Sequence, residues 1–251
     1  MPGLLLLLLA GPTTPQEAIR GFLRPDASQQ KAGLEQLAGA CRGGLRHDFY
    51  DDPRLLKALG RLRHKVMRGS SDPARHEVLL ALLQTQRCFS PAKLVTLLKP
   101  LLNDGDLKLR ARTIETLATT GDVVVVPTLL ARFRALQQLC LAEGIAAPDQ
   151  EVCVWLAYGL GAALHQAGPE DPRRAEVAST VIPWLRSPYA KVREVAVETL
   201  AAAGDGMAAK PLAQLIASEQ QKSFKQSNSP ALIKRFEQRL KKLRQSNSGS
   251  R

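Results

Sequence analysis

A 25-residue motif occurs twice in this chain. Leu98–Asp122 reads LKPLLNDGDLKLRARTIETLATTGD and Val181–Asp205 reads VIPWLRSPYAKVREVAVETLAAAGD, identical at ten positions and offset by 83 residues. The shared positions include punctuation (Pro100/Pro183, Gly121/Gly204, Asp122/Asp205) and interior residues (Leu102/Leu185, Lys108/Lys191, Arg110/Arg193, Glu115/Glu198, Thr116/Thr199, Leu117/Leu200, Ala118/Ala201). Self-similarity at a fixed period is the signature of a repeat array, and this offset is twice a unit of about 40 residues, the size of a helix pair. One helix pair cannot bury both of its apolar sides, so such a chain must stack neighbouring pairs.

The rest of the chain follows this pattern more loosely. Leu37, Leu82, Leu117, Leu160 and Leu200 fall at equivalent places, separated by 45, 35, 43 and 40 residues. Leu and Ala dominate and aromatics make up only 4%, which favours packed helices over a β-sandwich. The expected first-helix and second-helix segments are 15–24 and 27–41, 53–68 and 73–87, 91–103 and 106–120, 123–143 and 149–166, 173–186 and 188–203, 207–220 and 230–245. Val123–Val126 reads as a strand by β-branching, but the register of the array places a helix there. The predicted fold is all-α, an α-solenoid (α/α superhelix) of about six antiparallel helix pairs over residues 13–245. An apolar segment, 1–12, precedes it and a polar disordered tail, 246–251, follows.

The net charge of +12 points to an acidic partner, nucleic acid or an anionic membrane surface. Its distribution is uneven, because +8 of it lies from Lys222 onward, where nine basic residues face one acid, Glu237. The four cysteines, Cys41, Cys88, Cys140 and Cys153, show no metal-ligand spacing and read as buried small hydrophobes. Cys140 and Cys153 lie on consecutive antiparallel helices, so a disulfide is open to them if the protein is exported. The start, MPGLLLLLLA, reads either as an imperfect secretory signal or as an apolar cap on the first helix pair, leaving cytoplasmic and exported locations both open. No other stretch approaches the ~20 apolar residues of a membrane span.

The pattern resembles the HEAT-repeat family, whose units carry a proline in the first helix, an Asp or Pro turn, then Val-Arg, Ala and Leu in the second helix, closed by Gly-Asp. The match is fullest at Pro183, Pro188, Val192-Arg193, Ala196, Leu200 and Gly204-Asp205. It is partial at Asp72-Pro73, Arg75 and Leu82, and at Leu109-Arg110, Leu117, Gly121-Asp122 and Pro127. The resemblance implies an interaction scaffold with a ladder of Asp to Arg contacts. Gln30 and Cys153 stand where that ladder's arginine belongs, so an irregular array is expected at the first and fourth units.

No nucleotide-binding or nucleophile motif is present, and the resemblance implies a non-enzymatic protein without a cofactor. The cluster His47, Asp48, Asp51 and Asp52 lacks a second set of ligands for a metal and reads better as helix capping. Enzymes of this class are a HEAT-like DNA glycosylase or a chromophore lyase; the glycosylase would require aromatics and an acid on the concave face, for which Trp155, Tyr158 and Trp184 are available as aromatics while no Asp lies within a turn of Tyr158. The sharper candidate is Val152–Leu164, thirteen residues without a charge. A helix apolar all round is covered all round, so Val154, Trp155, Tyr158 and Gly161 are expected to form a groove on the concave surface of the array for an apolar segment of a protein partner. The last helix carries Lys234, Arg235, Arg239, Lys241 and Lys242 opposite its apolar face, a candidate contact for phosphate or an anionic membrane. A second basic stripe, Arg54 to Arg68, lies on the third helix.

Overall fold

The computed structural model describes residues 12, 14–42, 49–68, 73–168, 170–204, 208–223 and 230–248. The leucine segment 1–11, His47, Asp48, residues 70–72, Asp205 and the tail from 249 therefore lie outside the described residues. The chain is all-α, with no strand among the described residues. Its helices are α1 (Pro15–Phe22), α2 (Ala27–Arg42), α3 (Pro53–Arg68), α4 (Pro73–Leu83), α5 (Pro91–Leu98), α6 (Leu107–Ala118), α7 (Val126–Leu141), α8 (Ala147–Gln166), α9 (Arg173–Val181), α10 (Ala190–Ala203), α11 (Ala209–Ser223) and α12 (Pro230–Ser248). α12 continues past Gln245, so part of the expected polar tail is helical.

Local chemistry sets these boundaries. Thr14 and Glu17 form a reciprocal capping box at α1. Asp52 accepts from the Leu55 amide at 3.1 Å at the start of α3, and the Arg54 guanidinium beside it holds its carboxyl below the usual range. Gly121 and Gly204 adopt φ of 63° and 67°, the left-handed stop that costs glycine least. The first helices of the two motif copies are shorter than the sequence implied. At Pro100 and Pro183 the missing amide and the ring's clash with the preceding turn break the α-helical ladder. The chain tightens into 3-10 turns over Lys99–Asn103 and Ile182–Arg186. Val123–Val125 is also a 3-10 turn, started by Asp122, whose carboxylate accepts from the Val124 amide.

The described residues divide into two compact units at Thr116/Leu117, within α6, where the sequence implied one continuous domain. In the first unit α1 pairs with α2 and α3 with α4; the first helices α1, α3 and α5 touch in succession, as do α2 and α4. In the second unit α7 pairs with α8, α9 with α10 and α11 with α12; α8, α10 and α12 pack in succession, and α7 lies on α9. This two-layer order of first and second helices is that of an α-solenoid. Val123–Leu141 is long and apolar enough to cross a membrane, a point obscured in the sequence by Arg132 and Arg134. Here it packs on α8 and α9, burying Leu129, Leu130 and Phe133.

All four cysteines are paired. Cys41 on α2 bonds to Cys88 at the end of the second pair (Cα–Cα 5.3 Å), and Cys140 on α7 bonds to Cys153 on α8 (Cα–Cα 5.9 Å). The expectation of buried thiols is thus corrected: the pairs lie within helical contact distance and cross-link adjacent helices. The closed loops span 47 and 13 residues, so chain entropy alone gives stabilisations of about 4 and about 3 kcal/mol. Cys41→Ala/Cys88→Ala is therefore expected to lower the denaturant midpoint more than Cys140→Ala/Cys153→Ala. Equal or reversed losses in urea unfolding would rule out loop entropy as the main term.

Candidate functional site

The uncharged stretch of α8 is enclosed by its own fold on most sides. α8 starts at Ala147 with Pro148 in its first turn, and Asp149 lies inside that turn, where a carboxylate favours the positive helix end. The expected cap at Asp149 is displaced accordingly, the cap position being Ala146. Val152, Cys153, Leu156, Ala157, Leu160 and Leu164 are buried, and the disulfide to Cys140 ties the helix to α7. Ahead of the helix, the Ile145 amide donates to the Tyr189 hydroxyl at 2.7 Å. At its other end Arg174 of α9 donates to the carbonyls of Leu164 and Ala167 at 2.9 and 2.7 Å, and to Ala202 of α10 at 2.6 Å. One guanidinium thus satisfies carbonyls at the C-terminal ends of two neighbouring helices.

The two glycines of α8 serve this enclosure. A Cβ on Gly159 would lie 2.6 Å from the Ala118 Cβ and 2.8 Å from a Leu129 methyl. Gly161 faces Thr199 of α10, whose hydroxyl bonds with the Ala157 carbonyl at 2.7 Å and the Val195 carbonyl at 2.9 Å. Gly161 is therefore buried against α10 and lines no groove, correcting its place among the candidate residues.

What remains outward is a narrow stripe. Glu151, Trp155, Tyr158, Ala162 and His165 recur at spacings of three and four, one helical face. Tyr158 is 47% exposed, while Val154 and Trp155 are half-buried beside it. The Trp155 and Tyr158 rings meet edge to face with centroids 5.4 Å apart, and the Trp155 Nε1–H points to Glu151 at 3.4 Å. The stripe is thus an aromatic edge with Glu151 and His165 on the same helical face. An edge of this kind binds by contact area, through rings that lose few rotamers.

The other candidates are placed differently. Trp184 is fully buried and stacks on Phe133, centroids 3.5 Å apart, so it is unavailable as a surface aromatic. Arg235 and Arg239 of α12 pair with Glu194 and Glu198 of α10, each at 2.6 Å. Lys234 and Lys241 are exposed, and Lys241 borders a cleft of about 650 Å³ between α11 and α12; Lys242 lies on the same helix. A second cleft, about 530 Å³, is bounded by Pro183, Arg186, Pro211 and Gln214. Neither cleft includes the α8 stripe. Among the described residues no three His, Cys, Asp or Glu side chains converge as metal ligands. Asp51 and Asp52 instead bind locally, Asp51 to the Ser90 amide at 2.7 Å and to Lys93, and Asp52 to Arg54.

No protein-family model matches the chain, and no curated protein matches it. Among solved structures it is similar to an engineered protein from a structural genomics programme, with TM-score 0.54 and 17% identity, over 92% of this chain and 97% of that one. A second similar structure is the CpcE–CpcF complex of phycocyanin lyase from Nostoc, with TM-score 0.41 and 17% identity, over 94% of this chain and 96% of that one. At these identities the first likeness is one of fold.

The glycines give a direct check on the enclosure of α8. Gly159→Ala should destabilise by about 2 kcal/mol through overpacking. Gly60→Ala on α3, where a Cβ meets nothing within 4 Å, should stabilise by about 0.5–1 kcal/mol through helix propensity. Equal effects in urea unfolding would show that α8 is not closely approached.

Proposed function

We propose that this chain is a non-enzymatic, HEAT-like scaffold that binds an apolar segment of a protein partner along the outward stripe of α8. The observation that carries this reading is the Trp155–Tyr158 pair, an exposed Tyr against a half-buried Trp on a helix held in place on its other sides. Exposed, rigidly held Trp and Tyr are the residues that most often anchor interfaces. The HEAT assignment is supported by a recurring bond. Arg110 and Arg193 donate to the carbonyls six residues earlier, Asp104 and Ser187, at 2.9 and 2.8 Å. Arg75 reaches across to Asp104 of the next pair at 2.5 Å, a rung of the Asp to Arg ladder.

The alternative through the basic face of α12 has less support, because Arg235 and Arg239 are engaged with α10. For the enzyme alternative the stripe offers Glu151, which faces the indole, and His165 two turns from Tyr158.

The test is capture from native lysate by the unaltered chain and by Tyr158→Asp and Trp155→Ala variants, with thermal melts recorded in parallel. A partner held by the unaltered chain should be lost by both variants, each weakening binding by about 2 kcal/mol or more, with melting unchanged. A partner retained by both variants would place the interface elsewhere.

A further inference from the structure

The outward layer of the first unit carries a second unassigned surface. On α3, Lys57, Arg61, His64, Lys65 and Arg68 are all exposed, at spacings that return to one edge of the helix. The four cations Lys57, Arg61, Lys65 and Arg68 form a row about 16 Å long at 1.5 Å per residue. α3 contains no acidic residue, and among the described residues none of these four has an ion-pair partner. The remaining cations of the helix are committed elsewhere. Arg54 is held by Asp52 at the helix start, and Arg63 turns inward to the Leu97 carbonyl of α5 at 2.5 Å. Neighbouring first helices add the same sign, with exposed Arg20 on α1 and Lys99 following α5. The acids nearby are engaged: Glu17 in its capping box and Asp51 with Lys93 and Ser90. The contrast with α12, where Arg235 and Arg239 are spent on internal pairs, is direct.

We propose that the edge of α3 formed by Lys57, Arg61, Lys65 and Arg68 docks this protein on an anionic phospholipid surface. A plane of mobile headgroup phosphates requires only sign, number and reach of its partner, which a straight row of long, unpaired cations supplies. The edge carries no Phe, Tyr or Trp and a single imidazole, His64, where a single-stranded nucleic acid asks for a succession of rings on which its bases stack. The two disulfides suit an oxidising compartment and not the cytosol or nucleus, where nucleic acid is the abundant polyanion. The surface lies in the first unit, whereas the α8 stripe lies in the second, so each can be lost without the other.

The experiment is co-sedimentation of the full chain with vesicles of phosphatidylcholine, with and without about one-third phosphatidylglycerol, at about 0.05 and about 0.5 M salt. The unaltered chain should bind the anionic vesicles alone and be released by high salt. Each cation contributes on the order of fivefold at such a surface, less screening, so Lys57→Gln/Arg61→Gln/Lys65→Gln/Arg68→Gln should weaken binding at least about tenfold. An equal charge change placed elsewhere, Arg87→Gln/Lys108→Gln/Arg186→Gln/Lys210→Gln, should change it less than about threefold. Lys57→Gln/Lys65→Gln serves as the milder variant should the fourfold one fold poorly, and circular dichroism monitors both. The proposal is overturned by an unaltered chain that ignores anionic vesicles, by equal losses in the two charge-matched variants, or by stronger retention on duplex DNA than on vesicles at matched phosphate.

Discussion

One hydrogen bond recurs in three of the helix pairs and closes the turn between their two helices. A side chain early in the second helix reaches back to a backbone carbonyl six residues before it and closes the turn. Arg110 bonds to Asp104, Arg193 to Ser187, and Gln30, where the pattern lacks its arginine, to Arg24 at 2.6 Å. Closing the turn sets how the second helix leaves the first, and hence which faces meet the next pair. Gln30 is buried and keeps the bond through its amide, so the first unit is regular where the sequence implied an interruption. In the fourth unit Cys153 occupies that position and the covalent bond to Cys140 takes over the linkage.

The same demand for close contact accounts for the uncharged α8. Its composition reads as an unoccupied groove only if its neighbours stand off, and glycine at 159 and 161 brings them in. Ala118 and Leu129 fill one side, Thr199 another, and Arg174 satisfies the carbonyls at the end. What is left for a partner is therefore narrower than the composition implies: an aromatic edge rather than a trough. Its neighbours on α10 and α12 neutralise one another through Glu194–Arg235 and Glu198–Arg239.

Helix existence, pairing and order were legible because each rests on local signals: period, proline, capping acid and terminal glycine. The shortened first helices were not, since Pro100 and Pro183 mark a break without saying that 3-10 turns follow it. The helical period set Val154, Tyr158 and Gly161 on one open face; the structure exposes Tyr158, half-buries Val154 and buries Gly161. The burial of Trp184 was not, because its environment depends on Phe133, 51 positions earlier, coming to stack upon it. Cys140–Cys153 could be anticipated from adjacent helices, whereas Cys41–Cys88 joins positions 47 apart that no local pattern relates. Charge stripes on α3 and α12 look alike in sequence; only the acids of α10 beneath one of them tell them apart.

The central claim is that α8 is fixed by the fold on its other faces while presenting the Trp155–Tyr158 edge to solvent. The chain contains two tryptophans, so it can be tested with single-tryptophan proteins, Trp184→Phe reporting on Trp155 and Trp155→Phe reporting on Trp184. Acrylamide should quench the first strongly and the second hardly at all. Equal shielding of the two indoles would contradict the account, since the proposed edge would then be covered within the fold.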